Sequence, residues 1–146
     1  MKVVIQRVSS ASVTVEGKIT GKIKKGLVLL IGIHRDDTIA DLDFVADKCV
    51  NLRIFEDERQ KMNRSVIDEQ GQILAISQFT LLGNTQKGRR PSFIEAAPAP
   101  MAEAFYEKFV QKLKTYGLYV ACGVFGAMMD VELVNQGPVT IIVENK

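Results

Sequence analysis

Polar residues that can hydrogen-bond to a carbonyl group follow an apolar run in the middle of the chain. Ser77, Gln78 and Thr80 come directly after residues 73–76, with Phe79 between them. Gln78 offers a donor and an acceptor, Thr80 offers a hydroxyl, and the amides of Phe79 and Thr80 could receive the charge of an oxyanion. Such residues are common where strands end, so the pattern by itself favours an ordinary strand end over a hydrolytic site.

The rest of the sequence excludes most other catalytic chemistries. His34 is the only histidine, and Cys49 and Cys122 form no cluster, so no metal site is predicted. A Ser-His-Asp triad would have to use His34, although a histidine at a strand end is more often solvated or hydrogen-bonded. The chain carries no glycine-rich phosphate loop and no nucleophile elbow.

A second unusual stretch, residues 135–140, reads NQGPVT and lies between two apolar alternations. Gly137-Pro138 is poorly suited to a strand, because proline has no N–H to donate to a ladder. Propensity therefore predicts a turn between two strands. The Gly-Pro bond is also a candidate for the cis isomer.

Composition and charge are those of an ordinary globular protein. The chain has 146 residues, of which 47% are hydrophobic and 25% charged, and its formal net charge is +2. This length predicts a single domain, 1–146. The net charge is too small to imply nucleic-acid binding, but Lys87, Arg89 and Arg90 form a local basic cluster that could meet phosphates or simply face solvent.

Cysteine usage and hydropathy predict a cytoplasmic protein with no membrane span. Cys49 and Cys122 are far apart, which suits buried thiols in a reducing compartment. No apolar leader follows Met1, and the longest apolar run, residues 27–33, is too short to cross a bilayer.

Apolar periodicity predicts the elements that position these residues. Period-two alternation near residues 3–5 and 13–15 predicts strands, and residues 26–33 predict a central strand with both faces covered. Thr38 is expected to cap a helix, and residues 50–55 to return to a strand. The apolar stripe of that helix consists of Ile39, Leu42, Val45, Cys49 and Leu52.

A second helix and three strands complete the prediction. Pro100 suits the first turn of the helix, and Gly117 suits its C-terminal end. Its apolar stripe consists of Met101, Phe105, Phe109 and Leu113. Strands are expected at residues 118–122, 129–134 and 139–143. Two main helices among many strands predict an α+β fold with a compact, largely antiparallel, barrel-like sheet.

Both polar stretches resemble the signature motifs of the D-aminoacyl-tRNA deacylases, also called D-tyrosyl-tRNA deacylases. SQFTL (77–81) and NQGPVT (135–140) match the two motifs. The resemblance continues in the same order through VVIQRVSSASVTVEG, KGRRPSF and FGAMMDVELV, and it covers essentially the whole chain. One departure is Gln136, where many members carry Asp; we expect it to alter how the loop is braced and not the reaction.

The resemblance implies an activity and a set of residues. The family hydrolyses the ester of tRNA misacylated with a D-amino acid, also removes glycine from mischarged tRNA(Ala), and uses no metal or organic cofactor. Members act as homodimers in which a Gly-cis-Pro pair enters the partner's pocket and excludes L side chains through main-chain atoms. The implied catalytic residues are Ser77, Gln78, Phe79 and Thr80. The implied residues of chiral selection are Gly137, Pro138, Asn135 and Thr140.

Six further residues each have two interpretations, a functional one and a simpler structural one. Arg7 could brace the Gly-Pro loop or be a surface cation. Phe125 and Met129 could line the pocket for the terminal adenosine or belong to the core. Lys87, Arg89 and Arg90 could contact tRNA phosphates or order a lid.

Two mechanisms remain open. In the first, Thr80 Oγ attacks the ester carbonyl. In the second, the protein supplies the geometry and the 2′-hydroxyl of the terminal ribose helps to activate water. The second is favoured because neither motif contains a histidine or lysine that could serve as the base. The alternative function is a non-catalytic module that binds RNA or a nucleotide through the same pocket.

Overall fold

A computed structural model describes residues 1–145 of the chain. The elements in chain order are β1 (Lys2–Val15), β2 (Lys18–Ile23), β3 (Gly26–Gly32), α1 (Ile39–Asn51), β4 (Phe55–Glu56), β5 (Met62–Arg64), β6 (Gln72–Ser77), a 3-10 turn (Phe79–Leu82), α2 (Ala99–Lys114), β7 (Tyr119–Cys122) and β8 (Asp130–Glu144). Among the described residues, no helix is long and apolar enough to span a membrane.

The main sheet is mixed and nearly closes on itself. Its order is β2-β1-β3-β6-β7, with β8 along the other side of β1. β1 is antiparallel to β2, β3 and β8, whereas β6 is parallel to both β3 and β7. An ideal Cβ on Gly21 would lie 2.7 Å from the Cys122 carbonyl oxygen, so β2 approaches β7 closely. The prediction of an α+β fold with a barrel-like sheet is confirmed.

Two layers of core cover the two faces of the central strands. Leu29 of β3 and Ile73 of β6 belong to a cluster that includes the buried faces of α1 and α2. Val28 and Leu74, one residue away, belong to a second cluster on the opposite face. β3 is therefore a central strand covered on both sides, as its unbroken apolar run predicted.

Both helices begin where the sequence predicted. Thr38 caps α1 in a capping box: its Oγ1 accepts from the Asp41 amide, and the Asp41 carboxylate accepts from the Thr38 amide. Pro100 lies in the first turn of α2. The stripe expected on α1 is wrong at Ile39, which is exposed, and Ala46 and Val50 are buried in addition. The stripe on α2 is confirmed: Phe109 and Leu113 are buried, and Met101 and Phe105 pack against the core.

Other boundaries differ from the prediction. Residues 2–15 form one strand instead of two. The strand expected at 50–55 begins only at Phe55, as the short β4, because α1 continues to Asn51. The Leu52 amide still donates to the Lys48 carbonyl, which extends the helical hydrogen bonding. Cys49 is buried, and desolvation raises the pKa of its thiol to about 12, but Cys122 is only half-buried.

The predicted turn at NQGPVT is also wrong, because β8 runs through it. Gln6 of β1 pairs with Thr140, and Val8 pairs with Asn135. Arg7 alone therefore lies opposite residues 136–139, which form a wide bulge. Proline is tolerated there because the bulge removes its position from the ladder.

Candidate active site

A cavity of about 530 Å³ opens where the parallel strands β3 and β6 end. Ile31 pairs with Ser77 in the register of these strands, so their polar and apolar ends meet in one wall. Ser77, Gln78 and Phe79 line the cavity. The other lining residues are Ile31, Ile33, Ile76, Ala97, Ala99, Ala102, Phe125, Gly126, Ala127, Met129 and Val131.

The 3-10 turn after β6 presents two amides with no acceptor in the described part of the chain. The Gln78 amide donates to the Ile31 carbonyl at 2.8 Å, and the Leu81 amide donates to the Gln78 carbonyl at 3.2 Å. The amides of Phe79 and Thr80, which lie between them, begin the turn and therefore have no partner within it. Two adjacent free donors can stabilise a developing oxyanion.

Thr80 follows the lining residue Phe79 but does not line the cavity itself, and its side chain is held by Gln78. Gln78 Nε2 donates a hydrogen bond to Thr80 Oγ1, so the partner of the threonine hydroxyl in this bond is a donor and not a base. None of the lining residues carries a titratable side chain. The walls therefore offer hydrogen bonds and shape, and no general base.

His34 does not take part in this site. It follows Ile33 of the wall, but its Nδ1 accepts from the Asp36 amide at 3.1 Å and lies 3.8 Å from the Asp36 carboxylate. The imidazole is thus engaged in a turn before α1 and does not line the cavity.

Phe125 and Met129 occupy the wall and also pack against the core. The Phe125 ring lies 6.0 Å from the ring of Tyr106, whose hydroxyl donates to the Ala75 carbonyl at 2.7 Å. An ideal Cβ on Gly123 would lie 2.5 Å from Met129 Sδ, so glycine leaves room for this side chain. Phe125 and Met129 therefore line the cavity and also pack against the core, and their contact with an adenosine stays a prediction.

Sequence reasoning missed the small residues of the wall. Ala97 lies just before α2, Ala99 and Ala102 lie in its first turn, and all three line the cavity. The run AAPAPMA contributed only Pro100 to the prediction, as a residue of the first helical turn. Its density of small side chains was the signal, because alanine leaves space beside a helix where a larger residue would fill it.

The NQGPVT bulge lies outside this cavity. The Gly137-Pro138 peptide bond is cis, and Gly137 has a φ of 137°. Asn135 spans the bulge: its Oδ1 accepts from the Val139 amide at 2.7 Å, and its Nδ2 donates to Thr140 Oγ1 at 3.0 Å. Gly137 lines a separate cavity of about 350 Å³ beside Arg7. Within the described chain, the two motifs therefore do not share a cavity.

Arg7 fastens the bulge from β1. It is 7% exposed. Its Nε donates to the Gln136 carbonyl at 2.9 Å, and its Nη1 donates to the Ile54 carbonyl at 2.8 Å. The interpretation of Arg7 as a surface cation is wrong, because the side chain is buried against the loop.

The basic cluster lies on a hairpin-like loop next to the 3-10 turn. Asn84 and Ser92 exchange backbone hydrogen bonds of 2.8 and 2.9 Å, which close the loop at its base. Its tip carries Lys87, Arg89 and Arg90, all exposed. In the part of the chain that the structure describes, none of these three forms an ion pair.

A second large cavity, at β4 and β5, is a less suitable candidate. It measures about 550 Å³ and is lined by charged residues between 56 and 69. Arg64 Nε donates to the Glu69 carboxylate at 2.7 Å, and Asp57 accepts from Asn63, which lowers the pKa of the Asp57 carboxyl. Arg64, Glu69 and Asp57 thus already have partners within this surface segment.

Comparisons with known proteins identify the relatives of this chain. The family model described as D-Tyr-tRNA(Tyr) deacylase matches residues 4–144. The D-aminoacyl-tRNA deacylase of Brevibacillus brevis is 59% identical over 99% of this chain and 100% of its own length. The protein of the same name from Bacillus cereus is 56% identical over the full length of both chains.

Solved structures show the same fold. The c-Myc DNA unwinding element binding protein has a TM-score of 0.94 at 46% identity, covering 99% of this chain and 98% of its own. A probable eukaryotic D-amino acid tRNA deacylase has a TM-score of 0.86 at 18% identity, covering 98% of each chain. At that low identity, the second likeness concerns the fold alone.

Proposed function

The chain belongs to the D-Tyr-tRNA(Tyr) deacylase family, and on that premise we propose that it hydrolyses the ester bond of D-aminoacyl-tRNA to free D-amino acid and free tRNA. The observation that carries the proposal is the cavity at the end of β6. Its wall combines polar Ser77 and Gln78 with an apolar surface large enough for a nucleoside end. The 3-10 turn that carries the free amides of Phe79 and Thr80 begins at the lining residue Phe79. Such a site suits an ester whose carbonyl oxygen becomes negative during hydrolysis.

The chemistry proceeds by addition of water to the ester carbonyl carbon. The amides of Phe79 and Thr80 donate to the carbonyl oxygen as its charge develops. The bond to the ribose oxygen then breaks, and that oxygen takes a proton. Since no lining side chain is a base, the 2′-hydroxyl of the terminal ribose activates the water. Phe125 and Met129 contact the terminal adenosine.

Chiral selection comes from the cis Gly137-Pro138 pair of a second copy of the chain. The pair is exposed in the single chain, is held by Arg7 and Asn135, and does not line the candidate active-site cavity of the same chain. Main-chain atoms of this pair bind the α-amino group and leave no space for an L side chain. Glycine lacks a side chain, so glycyl-tRNA(Ala) is also hydrolysed. The homodimer acts in the cytoplasm.

The decisive assay compares two esters that differ only in handedness. Purified protein is incubated with D-tyrosyl-tRNA and with L-tyrosyl-tRNA, and free tyrosine is followed against a buffer control. We expect release from the D ester and no acceleration with the L ester. If the protein protected both esters equally from hydrolysis, the non-catalytic binding module would be favoured instead. Glycyl-tRNA(Ala) in the same assay tests the wider specificity.

A further inference from the structure

Two aromatic rings remain exposed at the mouth of the candidate active site. Phe79 lines the cavity and is 53% exposed, and Phe93 lies just outside and is 37% exposed. Their ring centroids are 5.1 Å apart with the planes at 71°. Rings of this size are normally buried, so an exposed pair beside a binding cavity indicates a contact surface. We refer to Phe79 and Phe93 together as the aromatic platform.

The platform is held in place by its surroundings. The exchange of backbone hydrogen bonds between Asn84 and Ser92 fixes the residue before Phe93. Gly83 lies against the ring: an ideal Cβ there would be 3.0 Å from Phe93 Cε1. The ring therefore packs on the backbone of the 3-10 turn while part of it stays open to solvent. An ordered ring loses little conformational freedom when a flat group stacks on it.

The charges around the platform select the kind of ligand. Lys87, Arg89 and Arg90 stand on the same loop, six to three residues before Phe93, and form no ion pair within the described chain. Exposed aromatic rings next to free cations are the combination that binds single-stranded nucleic acid, through base stacking and phosphate contacts.

We propose that the aromatic platform stacks the unpaired nucleotide that precedes the terminal adenosine of tRNA, while Lys87, Arg89 and Arg90 receive the phosphates. This rests on the proposed function, because the terminal adenosine must occupy the cavity for its neighbour to reach Phe93. In this arrangement the 3′ end of the tRNA leaves the cavity past Phe79, the residue that belongs to both the wall and the platform. Stacking is tolerant of base identity, so the contact extends the substrate site without reading sequence.

The test compares substrates that do and do not reach the platform. Phe93→Leu is assayed with D-tyrosyl-tRNA and with D-tyrosyl-adenosine, the same ester without the preceding nucleotide. Loss of a stacked base lowers the ratio of kcat/KM on tRNA to kcat/KM on adenosine by between about fivefold and a hundredfold. Phe93→Tyr, which keeps the ring, restores the ratio.

Phe44→Leu is the matched control. Phe44 is also half-exposed, at 52%, with Lys48 Nζ 5.6 Å from its ring centroid, but it lies on α1 and lines no described cavity. Its substitution is expected to leave the ratio unchanged.

Removing the base from the substrate tests the same contact from the side of the tRNA. Wild-type protein is assayed with D-tyrosyl-tRNA that carries an abasic residue before the terminal adenosine. For wild-type protein, the ratio of kcat/KM on this abasic tRNA to kcat/KM on D-tyrosyl-adenosine should fall to the ratio that Phe93→Leu shows on normal tRNA. For Phe93→Leu, the abasic substrate should lower the ratio no further. Equal losses on tRNA and on adenosine would overturn the proposal, as would an unchanged ratio.

Two further outcomes would distinguish failure of the proposed function from failure of the stacking proposal. If wild-type protein hydrolysed neither D ester, the proposed function itself would fail, whatever the variants did. If Phe93→Leu changed the molar mass in sedimentation while the ratio stayed constant, the platform would be a contact between copies of the chain and the stacking proposal would be wrong.

Discussion

The guanidinium of Arg7 in β1 donates to the main-chain carbonyl of Gln136 at 2.9 Å, at the bulge of β8 that lies opposite Arg7. Its other bond, from Nη1 to the Ile54 carbonyl at 2.8 Å, anchors it to the segment after α1. Both acceptors are carbonyls, and no carboxylate pairs with Arg7 in the described chain. The loop that carries Gly137 and Pro138 is therefore positioned by a buried side chain from a neighbouring strand.

Replacing Gly137 by alanine is expected to displace this loop. An added Cβ would lie 2.9 Å from Val139 Cγ2 and 3.0 Å from Arg7 Nη2, and the φ of 137° is one that side chains rarely adopt. We expect Gly137→Ala to lower kcat/KM on D-tyrosyl-tRNA by at least about tenfold, the scale of a small misplacement of a positioning group.

Gly17→Ala provides the control for backbone strain. Gly17 has a φ of 77° with nothing within 4 Å of its Cβ position, and it lies in the turn between β1 and β2. Urea denaturation should show a loss of about 1–2 kcal/mol in the free energy of unfolding, with activity retained. An equal activity loss in Gly17→Ala would mean that the Gly137 effect is general destabilisation.

Mixed oligomers test whether the loop acts on the partner subunit. Gly137→Ala has a defective loop and an intact cavity, and Ala99→Trp has a filled cavity and an intact loop. When unfolded together and refolded in equal amounts, random pairing should restore about a quarter of wild-type activity, because half of the dimers contain one complete site. If each loop serves its own cavity, the mixture should stay inactive.

Thr80→Ala distinguishes the two mechanisms. Removing a true nucleophile costs roughly 10⁶ in kcat, whereas the amide of residue 80 survives this substitution. With water as the nucleophile, we expect single-turnover rates to fall by less than about a hundredfold, from loss of the contact with Gln78 alone. Thr80→Ser, which keeps the hydroxyl, is the control. Near-complete loss of the single-turnover rate in Thr80→Ala but not in Thr80→Ser would establish Thr80 as the nucleophile.

His34 should have no influence on the pH dependence of the reaction. The cavity wall contains no titratable side chain, and the His34 ring is engaged by Asp36. We expect His34→Gln to leave the shape of kcat against pH unchanged between about pH 5.5 and 8.5, the range in which a histidine base would titrate. Loss of an inflection in this variant would identify His34 as the missing base.

Local patterns predicted the parts of the fold that depend on neighbours in sequence. The cap at Thr38, the helix start at Pro100 and the buried strand β3 follow from side-chain chemistry within a few residues, and the structure confirms them. The predictions for the end of α1 and for the course of the chain through β8 were wrong because both features depend on partners far away in the chain. A strand can continue through Gly137-Pro138 only when its neighbour β1 accommodates a bulge.

The sequence by itself determined the chemical inventory of the protein. With one histidine, two separate cysteines and no phosphate loop, the remaining candidates were hydroxyls, amides and the backbone of two short motifs. These limits follow from residue types, which no folding can change.

The tertiary structure decided which of these groups meet. The parallel pairing of β3 with β6 brings Ser77 beside Ile31 and opens the cavity there, while the antiparallel pairing of β1 with β8 sets Gly137 beside Arg7 in another cavity. Residues distant in sequence become neighbours only through strand register and packing, which composition does not encode. The separation of the two motifs within one chain is therefore a property of the fold, and it is the reason to seek the second motif on a partner.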